Sequence, residues 1–447
     1  MRDDEKRPEV PQLASREDDE LSRYGDEQDA PVRRRRSDRH ASGAKKKSGK
    51  TGGKAPKKKK KKGARKKGRS LFDMLFSETS REARRSGGLR VFGREIRISF
   101  WPAFIAAAAL LLFIMVLVQG GSLSIDEQNV TLVGLPEDLE SYRILHLSDL
   151  AGKRFGDEQA TILREIGTLD YDAVFITGDM VGSGGDPTPF YELLEGLPSS
   201  KPVYFIAGDS DPDPVLETAR DITGTAEEMV LADWVLGAIA RGATYVDAPV
   251  YLSVGNSGIW ISPADLLNMD AAELVDTCEE QMLQEQEGTV LGLAEDHDTL
   301  PATTYRYRRA QRILEAVNSM SSSDVHISLA HEVPTDEFLT ASGMHGSEGK
   351  FLTAPSLVLA GHYCGGVWRL PILGAFYIPS STAARHGWFP AQEGVQGLSS
   401  VGNTQVYITA GLSTSGSSPL MFFRFLNRPQ ISIIELTATL PQSMLEQ

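Results

Sequence analysis

The chain has 447 residues, more than one compact core needs, and its charge is distributed very unevenly. Residues 1–98 carry 31 Lys and Arg against 16 Asp and Glu, a net charge of +15, so the remainder carries −28 of the overall −13. This acidic body argues against a nucleic-acid partner for the C-terminal part, because Lys and Arg bind phosphate backbones. Its two cysteines, Cys278 and Cys364, are too few for a disulfide framework, although a single disulfide stays open.

The basic arm, residues 1–97, is predicted to be disordered and cytoplasmic. Like-charge runs at residues 33–36, 45–47 and 57–62 lie among Gly, Ser and Ala, with too little apolar surface to fold. Such an arm can bind anionic lipid of the inner leaflet or nucleic acid, or it can serve only to fix membrane topology. The sequence leaves these alternatives open.

Residues 100–118 form a stretch of 19 residues without charge, about the thickness of a bilayer core when helical. Arg90, Arg94 and Arg97 precede it, and acidic residues follow it. The positive-inside bias therefore predicts a single transmembrane anchor over residues 98–119, in the cell membrane, with the C-terminal domain outside. A cleaved signal peptide would need a short n-region, and a core helix would have a polar face.

From residue 120 to 447 short β-rich runs alternate with helical stretches. The clearest runs are residues 142–147, 173–177, 203–207 and 325–330. This succession predicts an α/β domain with central strands, and later strand-like runs predict a second sheet packed on the first. Two helical segments near residues 263–323 interrupt the pattern and are predicted to form an insertion.

Acidic and histidine side chains come directly after the predicted strands. They are Asp149, Asp179, Asp209 with Asp211, His331 and His362. Each alone could be a helix cap or a structural residue, but five strand ends that deliver such groups to one sheet edge favour a ligand site. Oxygen and imidazole ligands suit Mn, Fe or Zn, and paired ions suit phosphoester hydrolysis. Spacing does not support His146, His345 or His386 as further members, so we interpret them as structural or surface residues.

The order D…GD…GD-x-D…H…GH-x-x-GG resembles calcineurin-like phosphoesterases, whose blocks read D-x-H, G-D, G-N-H-D, H and G-H-x-H. GHYCGGVWRLP and ITAGLSTSG followed by RFLNRPQISIIEL are similar to the bacterial membrane-associated branch that contains UDP-diacylglucosamine hydrolases. The resemblance covers roughly residues 130–436. It implies a four-layer α-β-β-α metallophosphoesterase sandwich, here preceded by the transmembrane helix and the disordered basic arm.

The resemblance also assigns the ligands, and this chain departs from it. Ala151 stands where D-x-H has its histidine, Ser210 where G-N-H-D has one, and Cys364 where G-H-x-H has its last. The first metal site would retain Asp149 and Asp179, with Cys364 as a candidate thiolate ligand for Zn or Fe. The second site is complete, and its ligands are Asp179, Asp209, His331 and His362.

Together with the predicted anchor, the resemblance implies a membrane-anchored phosphoesterase that uses one or two Mn, Fe or Zn ions and metal-activated water. Its substrate would be an extracytoplasmic phosphorylated metabolite, lipid or diphosphate. Ser210, the catalytic candidate, can donate a hydrogen bond but not a proton near neutral pH, so good leaving groups should react best. The alternative is an impaired relative that binds metal or a phosphorylated ligand without turnover. In a third interpretation, the basic arm is functional and the outer domain is a spacer.

Overall fold

The structure is a computed structural model, and it describes a set of segments between residues 89 and 438. They are residues 89–91, 94–96, 102, 104–107, 109–110, 114, 122–290, 299–321, 323–345, 349–370, 372–378, 387–414 and 424–438. The chain divides into two units, Met1–Leu89 and Arg90–Gln447, and the second is described here. Nearly all of the predicted disordered arm lies outside the described residues.

The predicted anchor is also largely outside the described residues. Its described positions between residues 102 and 114 are helical, and Phe104, Ile105, Leu110 and Ile114 are exposed. Within the described part of the chain, no helix is both long enough and apolar enough to cross a bilayer. The anchor and its orientation therefore stay predictions.

The strands have the following bounds in chain order. They are β1 (Leu89–Val91), β2 (Arg94–Ile96), β3 (Ser124–Thr131), β4 (Arg143–Leu147), β5 (Ala173–Thr177), β6 (Val203–Ile206), β7 (Ala243–Tyr245), β8 (Val250–Val254), β9 (Ser257–Pro263), β10 (Val325–Leu329), β11 (Leu357–Ala360), β12 (Trp368–Leu370), β13 (Gly374–Ile378), β14 (Gly387–Trp388), β15 (Gly397–Val401), β16 (Thr404–Ile408) and β17 (Gln430–Thr437).

The described helices are mostly short. They are α1 (Ala160–Ile166), α2 (Thr188–Gly196), α3 (Ala226–Val230), α4 (Asp233–Ile239), α5 (Ala271–Val290), α6 (Leu300–Ser319) and α7 (Asp336–Ser342), with 3₁₀ turns at Glu137–Leu139, Asp157–Gln159 and Ala264–Leu266. Polar caps fix where some of them begin. The Thr225 side chain and Glu228 form a capping box at α3, and the Thr335 hydroxyl caps α7.

Two six-stranded sheets form the centre of the domain. The first has the order β3-β17-β4-β5-β6-β7, and β4 to β7 are parallel. The second has the order β15-β16-β11-β10-β9-β8, and its four inner strands are parallel. Parallel strands of one sheet end at the same edge, so residues that follow them in the sequence become neighbours in space.

The central strands are buried on both faces, as parallel strands covered on both sides should be. In β5, Phe175 joins the core between the two sheets, whereas Val174 and Ile176 pack against the helices α1, α2 and α4. On the far side of the second sheet, Val358 and Ile408 pack against α7 and β13. The mixed α/β fold predicted from the sequence is confirmed.

The helices α5 and α6 fall within the predicted insertion and pack against each other. Ile313 of α6 shares a small core with Leu266 and Ala271, while Tyr305 joins the helical side of the first sheet. The insertion is therefore attached to the body of the domain by buried side chains.

Candidate metal centre

The predicted ligands meet at one end of the two sheets. Asp149, Asp179 and Asp209 follow β4, β5 and β6, while His331 and His362 follow β10 and β11. Two groups of ligand atoms each lie within 4.8 Å of one another, Asp209 with His331 and His362, and Asp149 with Asp179 and His331. His331 belongs to both groups.

The imidazole of His331 is the central group. Its Nε2 lies 2.9 Å from Asp209 Oδ1, 3.3 Å from Asp179 Oδ2 and 3.1 Å from His362 Nδ1. Its Nδ1 donates a hydrogen bond to the Thr177 carbonyl oxygen at 2.8 Å, which fixes the tautomer that aims the Nε2 lone pair into the centre. The lone pairs that converge there require a proton or a cation between them.

Within the candidate ligands, two buried polar atoms have no hydrogen-bond partner among the described residues, Asp179 Oδ2 and His362 Nε2. The other Asp179 oxygen, Oδ1, accepts from the Ser210 backbone N–H at 2.8 Å, so only Oδ2 is unsatisfied. A buried carboxylate oxygen without a donor is costly unless a cation satisfies it. The residues present therefore fit a divalent cation bound beside His331.

The pKa values of these side chains show that, without a cation, protons are shared between the histidines and the carboxylates. Hydrogen bonds from His331 and His362 hold the pKa of Asp209 well below its usual range. Burial raises the pKa of Asp149 to about 6. Burial lowers the pKa of His331, but the attraction of the Asp179 and Asp209 carboxylates outweighs it, and the net pKa lies well above the ordinary value. A bound divalent cation would displace these protons.

The backbone holds the ligands in a sparsely populated conformation. Asp149, Asp179 and His362 have φ of 57°, 53° and 66°, in the left-handed region that is rare for residues other than glycine. A Cβ on Gly208 would overlap the Asp179 carboxylate, so that close approach requires glycine. Strain of this kind clusters at functional sites.

The side of the centre around Asp149 is built differently. Ala151 supplies no ligand atom, and Cys364 Sγ lies 3.9 Å from Asp149 Oδ1 and 3.5 Å from the His362 carbonyl oxygen. Cys364 belongs to neither converging group found in the described part of the chain. Cys278 and Cys364 are not joined to each other, so the disulfide that the sequence left open is not formed.

Arg424 is a buried residue near this side that sequence reasoning missed. Its guanidinium donates to the backbone carbonyls of Cys364, Ala410, Gly411 and Ser413 at 2.7–3.1 Å. Asn427 also donates to the Cys364 carbonyl oxygen. Both belong to RFLNRP, which we used only as a sign of the closing strands, and their role is to hold the loop that carries His362 and Cys364.

Lys153 adds a second cationic group on this side. Burial, together with the positive charge of Arg424, lowers the pKa of Lys153 to about 8. Its ammonium lies 4.5 Å from the centre of the Phe155 ring. Near Asp149, where the resemblance places a metal-binding histidine, the chain therefore has Ala151 and nearby positive charge.

The loop after β6 positions its neighbours through the backbone. Asp211 accepts hydrogen bonds from the backbone N–H groups of Val181, Gly182 and Gly208 at 2.7–2.9 Å, which ties this loop to the loop after β5. Ser210 holds Asp179 by its N–H. The proposed catalytic role of the Ser210 hydroxyl stays a prediction.

The other histidines lie apart from the two ligand groups. His146 is buried with Nε2 2.9 Å from Thr177 Oγ1, and burial lowers its pKa to about 3. His345 stacks on Phe351 with ring centres 3.8 Å apart. His386 lies outside the described residues. His326, which the sequence analysis did not consider, is buried between Ser262 and the Thr353 carbonyl oxygen.

The sequence model of the calcineurin-like phosphoesterase family matches residues 142–364, a segment that contains all six predicted metal ligands. Among solved structures, the chain is similar to the phosphopantetheinyl hydrolase PptH of Mycobacterium tuberculosis. Identity is 11%, the similarity covers 64% of this chain and 96% of that chain, and the TM-score is 0.30. No curated protein matches the chain. The family match supports the superfamily, whereas the membrane-associated branch stays a prediction.

Proposed function

We propose, from the premise that residues 142–364 form a calcineurin-like phosphoesterase domain, that the protein is a metal-dependent hydrolase of phosphoester bonds. The observation that carries the proposal is the convergence on His331 Nε2 of Asp209, Asp179 and His362, with one Asp179 oxygen buried and unsatisfied. Converging oxygen and nitrogen lone pairs of this kind suit Mn, Fe or Zn rather than a structural hydrogen-bond network.

Each residue would have a distinct task. Asp179, Asp209, His331 and His362 would hold the cation, which supplies Lewis acidity to a phosphoryl oxygen and lowers the pKa of a bound water. The Thr177 carbonyl oxygen orients His331, and the Ser210 N–H orients Asp179. Ser210 could also donate a hydrogen bond from its hydroxyl to substrate, but it supplies no proton near neutral pH. Diphosphates and aryl phosphates, whose leaving groups need little protonation, are therefore the proposed substrates.

The cellular setting is a further part of the proposal. The uncharged stretch at residues 100–118 and the basic residues before it support a single-pass anchor with the phosphoesterase domain outside the membrane. The substrate would then be an extracytoplasmic metabolite, lipid or diphosphate. Protease added to intact cells should digest the C-terminal domain and spare the basic arm, and the reverse pattern would contradict this orientation.

A relative that binds metal or a phosphorylated ligand without turnover is the second candidate. It is favoured by one observation: among the described residues, the Asp149 group shares His331 with the Asp209 group and receives no ligand atom from Ala151 or Cys364. The full-length protein, purified in mild detergent, should be assayed with 4-nitrophenyl phosphate and bis(4-nitrophenyl) phosphate in Mn, Fe and Zn.

Turnover that needs metal and is lost in Asp179→Asn supports the hydrolase. Bound metal without turnover under any of these conditions supports the second candidate. A protein that binds no metal contradicts the hydrolase, and one that binds neither metal nor a phosphorylated ligand contradicts both.

A further inference from the structure

A cavity of about 700 Å³ opens beside the metal centre. His331 lies in its wall, so a ligand in the cavity borders the centre directly. The other walls come from the end of β6, the segment after β7, the segment after His331, and α6 of the insertion. This volume is within the range of sites for metabolites of nucleotide size.

The α6 wall presents two arginines, Arg306 and Arg309. They are three residues apart and so lie on the same helix face. Arg306 is exposed, and in the described contacts Arg309 uses its Nε, which donates to the Asp247 carbonyl oxygen at 2.6 Å. Guanidinium groups bind phosphate and carboxylate in a bidentate manner, so this wall suits an anion.

The acidic residue beside these arginines is already neutralised. Both oxygens of the Asp247 carboxylate accept from Arg312, at 3.2 and 2.9 Å, and the Tyr305 hydroxyl donates to the same group. The charge of Asp247 is therefore compensated from outside the cavity lining by Arg312. The same contacts attach α6 to the segment after β7, so the arginine wall is already in place before a ligand binds.

The remaining walls suit the rest of an organic ligand. Asp265 and Glu332 also line the cavity, and Glu332 accepts from the Tyr363 hydroxyl at 3.2 Å. The carboxylates of Asp265 and Glu332 can accept hydrogen bonds from a ligand, for example from its hydroxyl groups. Tyr245 and Phe338 offer aromatic surface to a planar or apolar part of the ligand. A ligand that fills the cavity would thus combine an anion, hydrogen-bond donors and an apolar or planar part.

We propose that this cavity binds the organic part of a doubly anionic phosphoester, with Arg306 and Arg309 binding the anionic group that is not cleaved. Cleavage of the phosphoester rests on the proposed function, whereas binding of the anion by Arg306 and Arg309 does not. The proposed substrate of the hydrolase is then a phosphorylated metabolite of nucleotide size that carries a second phosphate or a carboxylate.

The test is equilibrium binding to the full-length protein after chelation of metal, so that the metal centre does not contribute. Adenosine 5′-diphosphate is the probe, because it joins a planar base and a ribose to two phosphates, and adenosine is the uncharged control. Calorimetric titration should show ADP binding that is at least about tenfold tighter than adenosine binding. No ADP binding, or equal affinity for the two ligands, would overturn the proposal.

Variants of α6 locate the bound anion. Arg306→Gln changes an exposed side chain and should weaken ADP binding by about tenfold, and Arg306→Gln with Arg309→Gln should weaken it further. Arg308→Gln is the matched control, because Arg308 lies on the same helix but pairs with Glu227 at 3.5 Å and is not part of the cavity lining. ADP affinity that is unchanged in the double variant, or lost equally in Arg308→Gln, contradicts the assignment.

The two proposals can fail separately. Metal-dependent turnover of bis(4-nitrophenyl) phosphate together with ADP binding that ignores Arg306 and Arg309 would keep the hydrolase and reject the cavity. Arginine-dependent ADP binding without turnover in any metal would keep the cavity and reject the hydrolase.

Discussion

The residues around Asp209 and those around Asp149 lie at the same end of the two sheets, yet their side chains suit different chemistry. Asp209, His331 and His362 are within 2.9–3.3 Å of one another. Asp149 has His331 and Asp179 on one side, but Ala151 and the Cys364 thiol stand at the positions of two metal-binding histidines in the resembled family. The fold alone therefore does not guarantee a two-metal centre, because each ligand position is set residue by residue.

The difference extends to the groups that support the ligands. On the complete side, the Thr177 carbonyl oxygen fixes the ring of His331. On the other side, the buried cation Arg424 fixes the loop of Cys364 through carbonyl oxygens. One side is arranged to accept a cation, whereas the other already contains positive charge from the protein itself.

Replacement of His331 by Gln should have the largest effect, since its Nε2 contacts ligands of both groups. We expect loss of the bound ion and a fall in turnover of at least about 10³-fold, because a metal supplies several kcal/mol to the transition state. Metal content by elemental analysis and turnover of bis(4-nitrophenyl) phosphate measure this. His345→Gln, away from the centre, is the control, and a variant of His331 that keeps its ion would remove the basis of the comparison.

Arg424→Met should destabilise the fold by about 3 kcal/mol or more, because four buried carbonyl oxygens lose their charged donor. Arg428→Met, at a neighbouring exposed position, should change the free energy of unfolding by less than about 0.5 kcal/mol. Urea unfolding compares the two. Equal effects would show that Arg424 does not support the loop as described.

His146, which is not a candidate metal ligand, should make the free energy of unfolding depend on pH. Burial lowers its pKa from 6.5 to about 3, so below pH 6.5 the unfolded chain binds a proton that the folded chain does not. Its contribution is complete above that pH and decreases as pH falls, by up to about 1.4 kcal/mol per pH unit. The difference in unfolding free energy between wild type and His146→Gln, measured at pH 7, 6 and 5, isolates this effect. A difference that does not vary with pH would contradict it.

Cys364→Ser should have the smallest effect and sharpens the contrast between the two sides. The thiol is 3.9 Å from Asp149 and outside both converging groups, so ion content should be unchanged and turnover should stay within about threefold. Loss of an ion would instead support Cys364 as a ligand.

Ala151→His combined with Cys364→His should add a second ion per chain.

The candidate metal ligands could be predicted from the sequence because each follows a strand, and the ends of parallel strands in one sheet share an edge. Asp149 and Asp179, in the first sheet, and His331 and His362, in the second, each needed no knowledge of packing beyond that rule. The hydrogen bond from His331 to Thr177 could not be predicted, because it joins the two sheets and depends on how they face each other.

The remaining features depend on contacts between segments that are distant in the sequence. Arg424 gave no signal, because a single arginine in a sequence is usually exposed. The arginine wall of the cavity depends on the docking of α6 through Asp247, which the helical pattern of the insertion does not encode.

Anomalous diffraction from crystals of the protein loaded with manganese tests the central claim most directly. The account predicts a peak coordinated by Asp179, Asp209, His331 and His362. A protein without any peak at these residues, or with an ion bound only by Asp149 and Cys364, would contradict it.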